Sequence, residues 1–220
     1  MRKAQSGDVK ETYLTQKPNP MAANMALVSL LVICLFSWIY WEQIQPLHSY
    51  LPANREKVFV DHQYWRLFTS MAVHFDLAHL LANSLPFGVF VYLVFGYYGA
   101  FNFPLLTLAL GALVDLLVLL TYSEGTTLVG ASGLVYLLAG FWLMMYIFID
   151  RRYSVIKRFM RATGFALVTL FPTSFDERVS YRTHAMGFIV GILWAFFYFL
   201  PQKSRFRDAE IVEVNHEDLI

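Results

Sequence analysis

Residues 77–114 read LAHLLANSLPFGVFVYLVFGYYGAFNFPLLTLALGALV, 38 positions without one Asp, Glu, Lys or Arg. A membrane-spanning helix needs about 20 apolar residues, so this run holds most of two. Glycine and proline punctuate helices, and Gly96-Tyr-Tyr-Gly99 followed by Pro104 marks the break. The second helix then continues through Asp115 to about Tyr122. Outward from this stretch lie four more charge-free runs, 18–41, 125–149, 162–175 and 183–202. The pattern predicts an all-α polytopic membrane protein, with spans near 22–41, 76–96, 101–122, 131–149, 155–171 and 183–200.

Composition agrees. Hydrophobic residues make up 57%, charged residues 15%, and the mean hydropathy is +0.48, where a soluble domain carries about 25% charge. Disorder and collagen-like repeats are excluded. The net charge of +1 gives no field for a polyanion, so no nucleic-acid partner is expected. Cys34 is the single cysteine, which rules out an intramolecular disulfide, a C-x-x-C metal site and haem attachment.

The chain divides into an N-terminal tail (1–21), a six-helix domain (22–200) and a charged, flexible C-terminal tail (201–220). A hydrophilic segment precedes the first span and no small-residue cleavage site follows it, so it does not read as a signal peptide. The fifth span has a charge-free core of only 14 residues, a length that also suits a re-entrant segment. With Lys157, Arg158 and Arg161 snorkelling at its start, a full but short span is the preferred reading.

Lys and Arg set the orientation. Twelve of 17 lie in the two tails and in the segment 151–161. Arg55, Lys57, Arg66, Arg178 and Arg182 fall on the other side. Both termini are therefore expected to be cytoplasmic in a plasma membrane, with 42–75, 123–130 and 172–182 facing outward.

Polar groups inside a membrane are costly and are functional candidates by default. Span 2 carries His79, Asn83 and Ser84; span 4 opens with Ser132 and span 6 with His184. All three helices enter from the outer side, so these groups share one depth. A serine hydroxyl becomes nucleophilic when a base takes its proton, and His184 can be that base. An oxyanion needs preorganised donors. His79 and Asn83 share a helix face at i and i+4, and the Ser132 amide, in the first turn of its helix, lacks an intrahelical partner. Gly130 and Gly133 allow backbone to approach the serine, while Gly187 and Gly191 lie on roughly the face of His184 and permit close packing of spans 4 and 6. Tyr136, one turn below Ser132, can support the imidazole by ring contact.

These motifs resemble the rhomboid family of intramembrane serine proteases. They are Trp65-Arg66, His74-Phe-Asp-Leu-Ala-His79-Leu-Leu-Ala-Asn83, Gly130-Ala-Ser132-Gly133 with Tyr136, and His184-Ala-Met-Gly187-Phe-Ile-Val-Gly191. The resemblance implies a six-helix fold around a water-filled cavity. It implies Ser132 as nucleophile and His184 as base without a carboxylate, with His79, Asn83 and the Ser132 amide around the oxyanion. It further implies that Tyr136 packs on His184, that Trp65 and Arg66 order the outer loop, and that span 5 and the 172–182 loop form gate and cap. Substrates would be transmembrane segments unwinding near the outer face.

Departures are Thr183, where alanine is usual, and the charges Asp176, Glu177, Arg178 and Arg182 in the cap loop. No cofactor or metal is expected; His74 and His79 stand at i, i+5, a poor metal pair on one helix. His74 reads as structural, bonding loop backbone, and Asp76 as the N-cap of span 2. Pro86 is expected to kink that span. Asp115 leaves three readings open: a bond to a neighbouring helix, protonation, or tuning of the cavity. The alternatives to a protease are a non-proteolytic relative that binds membrane clients and a small transporter. Against the latter, the sequence shows no internal repeat of the transporter kind.

Overall fold

The computed structural model describes residues 7–171 and 180–214. Six long helices stand where the spans are expected: α1 (Ala22–Trp41), α2 (Leu77–Ala100), α3 (Thr107–Thr121), α4 (Ser132–Ile149), α5 (Val155–Leu170) and α6 (Tyr181–Asp208). Four helical stretches are long and apolar enough to cross a membrane: α1, the continuous 77–121 stretch holding α2 and α3, α4, and α6. At 16 residues, or about 24 Å at 1.5 Å per residue, α5 falls short of that length.

The break between α2 and α3 falls at the second glycine of the Gly96–Gly99 stretch that marks it in the sequence. Gly96 stays helical and serves packing: a Cβ there would stand 2.9 Å from Pro18 Cβ and 3.2 Å from Ala22 Cβ, and its carbonyl accepts from Asn19 N. The helix breaks at Gly99, whose φ is 78°, a value glycine adopts without strain. A wide turn over Phe101–Leu106, extended at Phe103, then delays α3 to Thr107.

Helix α4 is the axis of the bundle. Phe141, Leu137, Leu138, Met145 and Ile149 are fully buried, together with Phe90 of α2. By contrast, α1 buries only Ala22, Ala26, Ile33 and Ser37, a narrow stripe that leaves apolar side chains on every other side, as lipid requires. The short helices Leu47–Tyr50 and Arg66–Thr69 lie in the loop between α1 and α2. Arg66 is buried and donates to the carbonyls of Ser49 (2.8 Å) and Pro52 (2.7 Å) and to Gln63 Oε1 (2.6 Å). It holds the loop from within, whereas Trp65 is exposed and stands 6.5 Å from Tyr50, ring to ring.

The expectation of a flexible tail after Gln202 is corrected. Helix α6 runs through Pro201 to Asp208, and β2 (Ile211–Val214) pairs antiparallel with β1 (Gly7–Glu11). Phe206, seven positions after Phe199, repeats the apolar face of the helix. It is fully buried, against Phe199 at 5.7 Å and Tyr13 at 5.2 Å. Glu210 takes hydrogen bonds from Arg207 (2.7 Å) and Arg151 (3.1 Å).

Candidate active site

The turn that delivers Ser132 is fixed before α4 begins. Gly130 adopts φ 122°, and its N–H donates to the Ser70 carbonyl at 2.9 Å. The next amide, Ala131 N–H, donates to His74 Nε2 at 3.2 Å. Since Nε2 accepts, the ring proton sits on Nδ1, which faces Ser37 Oγ at 3.0 Å. Trp41 Nε1 donates to the His74 carbonyl at 2.8 Å. His74 thus ties α1 and the loop between α1 and α2 to the start of α4. It lies ahead of α2, and burial first, then the neighbouring His79, push its pKa from the ordinary 6.5 down to about 3.

Asp115 belongs to the same frame. It is 4% exposed and accepts from Ser70 Oγ at 3.0 Å, so its partner is the loop between α1 and α2 rather than a neighbouring spanning helix. The residue whose hydroxyl it holds is the one whose carbonyl receives the Gly130 amide.

Ser132 is the first residue of α4, and its amide points out of the helix start. Below it, α4 and α6 meet backbone to backbone. A Cβ on Gly187 would stand 2.6 Å from Gly133 O, and one on Gly191 would meet Leu137 O and stand 2.9 Å from Phe141 N. From the other side, a Cβ on Gly140 would meet Phe188 O. Gly140 is missing from the sequence-derived set, although it stands seven residues after Gly133 on nearly the same face. Thr183 explains its own departure: its Cγ2 lies 3.0 Å from where a Cβ on Gly133 would be, and its Oγ1 donates to Ser180 Oγ at 2.7 Å. Ser180 caps α6 by accepting from Thr183 N at 3.1 Å and is in close contact with the Tyr122 hydroxyl.

The imidazole of His184 stacks on the ring of Tyr136, centroids 3.9 Å apart and planes 15° apart. His184 is 5% exposed, and among the described residues its buried Nε2 has no hydrogen-bond partner. An unsatisfied buried polar atom is destabilising. Ser132 and Tyr136 are one helical turn apart and share a face, so serine and imidazole overlie the same patch of α4.

A cavity of about 400 Å³ opens at this end, lined by Ser132, His79, Gly130, Phe75, Tyr122 and Thr183 among others. His79 stands so close to the turn that a Cβ on Gly130 would lie 2.8 Å from its Cε1. Its ring is edge-on to His74 at 5.0 Å. His184 and Asn83 are not among the residues that line the cavity. Asn83 is 1% exposed, and its Nδ2 donates to His79 O at 2.9 Å, which leaves one N–H for another acceptor. Asp76 caps α2 by accepting from His79 N at 2.8 Å. Among the described residues, no group of three or more His, Cys, Asp and Glu side chains is placed to hold a metal ion. Asp176, Glu177 and Arg178 lie outside the described residues; Arg182 donates to Thr121 O at 2.7 Å.

A family model for the Rhomboid domain matches residues 61–201, which spans this whole arrangement. The chain belongs to the rhomboid family. It is 30% identical over 190 residues to the rhomboid protease GlpG of Pectobacterium atrosepticum, covering 83% of this chain and 64% of that protein. It is 26% identical over 183 residues to the rhomboid protease GlpG of Haemophilus influenzae, covering 79% of this chain and 92% of that one. The matched region of this rhomboid begins within the loop between α1 and α2 and ends at Pro201, so the paired strands lie outside it.

Proposed function

We propose that this rhomboid is an intramembrane serine endopeptidase that cuts transmembrane segments of other membrane proteins near the outer face, with both its termini cytoplasmic. The observation that carries the reading is the His184 ring stacked on Tyr136, one turn below Ser132 of the cavity lining, with Nε2 unpartnered among the described residues. Ser132 Oγ attacks the scissile carbonyl carbon and its proton passes to His184 Nε2. The negative charge that forms on the carbonyl oxygen is met by the Ser132 amide and by His79, with the remaining N–H of Asn83 behind it. Collapse of the adduct breaks the C–N bond, and His184 gives its proton to the departing amine. Water then repeats the sequence on the acyl-serine and frees the acid. No carboxylate orients the imidazole; the Tyr136 ring holds its plane instead.

Helix α5 is the wall through which a bilayer-embedded segment reaches the cavity. It buries only Ala162, Thr169 and Leu170, so displacing it disturbs little of the core.

The test is cleavage of a single-span substrate by the purified chain in detergent and in liposomes. Ser132→Ala and His184→Ala are each expected to lower kcat by about a thousandfold or more. Activity kept by either variant refutes the dyad. A folded wild-type chain that binds the substrate and never cuts it would instead support the client-binding alternative.

A further inference from the structure

The end of α5 farthest from Ser132 gathers positive charge around one ring. The guanidinium carbon of Arg161 lies 3.8 Å from the centre of Tyr153, the ammonium of Lys157 4.8 Å, and the guanidinium carbon of Arg152 5.5 Å. Arg152 is neutralised by Asp150 through two bonds of 2.7 and 2.9 Å. Among the described residues, neither Lys157 nor Arg161 has a carboxylate in ion-pair range. Two cations against one ring, without a counter-ion among the described residues, call for an anion.

Their surroundings say what kind. Val155, Ile156, Phe159 and Met160, in the same two turns, expose 62–74% of their surface. Apolar groups interleaved with long cationic side chains mark the boundary between acyl chains and headgroups. From Arg161 a groove of about 310 Å³ runs between three helices, walled by Leu93 of α2, Trp142 and Tyr146 of α4, and Ala162 and Phe165 of α5. An ion would occupy only the charged mouth. A molecule that uses mouth and groove together has a negative head and a hydrocarbon tail.

We propose that this is a binding site for an anionic phospholipid in the leaflet opposite Ser132. The phosphodiester sits between Lys157 and Arg161 with Tyr153 behind them, and one acyl chain lies along the groove between α2 and α5. The site needs the membrane fold alone and stands apart from the proteolytic reading.

The experiment uses the whole chain in an uncharged detergent. It is titrated with a short-chain phosphatidylglycerol, with phosphatidylcholine of the same chains, and with inorganic phosphate. The unfolding midpoint and the lipid retained in native mass spectrometry are read in parallel. One phosphatidylglycerol is expected to stay bound and to raise the midpoint saturably, while the other two do neither. Lys157→Gln with Arg161→Gln should weaken the apparent affinity about tenfold or more. Leu93→Phe narrows the groove without touching a charge and should also lose the lipid, whereas Lys203→Gln, on the same membrane face, should bind as wild type. An equal response to phosphatidylcholine reduces the site to ordinary lipid contact. A response to inorganic phosphate alone makes it an anion pocket, and an equal loss in Lys203→Gln makes it diffuse surface charge. Any of the three overturns the proposal, as does retention of phosphatidylglycerol by the double variant and by Leu93→Phe.

Discussion

Helix α4 buries twelve of its 18 residues, whereas its neighbour α5 buries three of its 16. On one side of α4 the backbone touches α6 across glycines. On the other, α5 stands off behind two grooves, of about 310 and 590 Å³. Where α4 and α6 carry Ser132 and His184, the fold leaves no room for a methyl group. Where the bundle meets lipid, it leaves space that chains of the bilayer can fill. Without a hydrophobic drive between helices in a membrane, close packing of small residues is what holds a seam, and α5 has no such seam.

The strongest way to break this contrast is to add atoms to the seam. Gly191→Val places carbon against the Leu137 carbonyl and beside Phe141 N, backbone that cannot move aside. It should cost about 3 kcal/mol of stability, read as a lowered unfolding midpoint in detergent, and should remove activity. A variant as stable as wild type would mean that α6 is not locked to α4.

Acid should loosen the same region from its upper end. His74 stays neutral in the fold down to about pH 3, while the unfolded chain takes up its proton near the ordinary value. Its contribution is whole above that value and is lost as pH falls toward the folded pKa. About 2–3 kcal/mol should disappear by about pH 4.5. Unfolding measured at about pH 7.5 and about pH 4.5 should show a loss larger by that amount in wild type than in His74→Gln; an equal loss in the variant would assign it to other groups.

A smaller effect isolates the stacked pair. Tyr136→Leu keeps volume in the core but removes the ring face, and kcat should fall about tenfold with KM little changed. Tyr136→Phe should restore it. Smallest of all, Val168→Ala on the outward face of α5, where Val168 is 79% exposed, should shift stability by no more than about 0.5 kcal/mol. A large loss there would show that α5 is held far more firmly than its burial indicates.

The helices were legible because charge-free runs of membrane length have few alternatives. The polar residues stood out for the same reason: inside such a run each one needs an explanation. What stayed hidden depended on partners far along the chain. Gly96 reads as a breaker and proves to be a packing site for Pro18 and Ala22. The role of Asp115 turned on Ser70, 45 positions away, and nothing local pointed to it. The paired strands look like charged tail in sequence; their order comes from Phe206 meeting Tyr13 across nearly the whole chain and from Glu210 taking hydrogen bonds from Arg151 and Arg207.

That ribbon has a mechanical consequence. Gly7 pairs with Val214 at its outer end and Glu11 with Ile211 at its inner end, so the two ends of the described chain leave side by side. A force drawing them apart would peel the ribbon rung by rung rather than shear it, and would be relieved there before tension reached any helix. Pulled by its ends in a bilayer, the molecule should yield first in a short, low-force step, with the membrane bundle still whole.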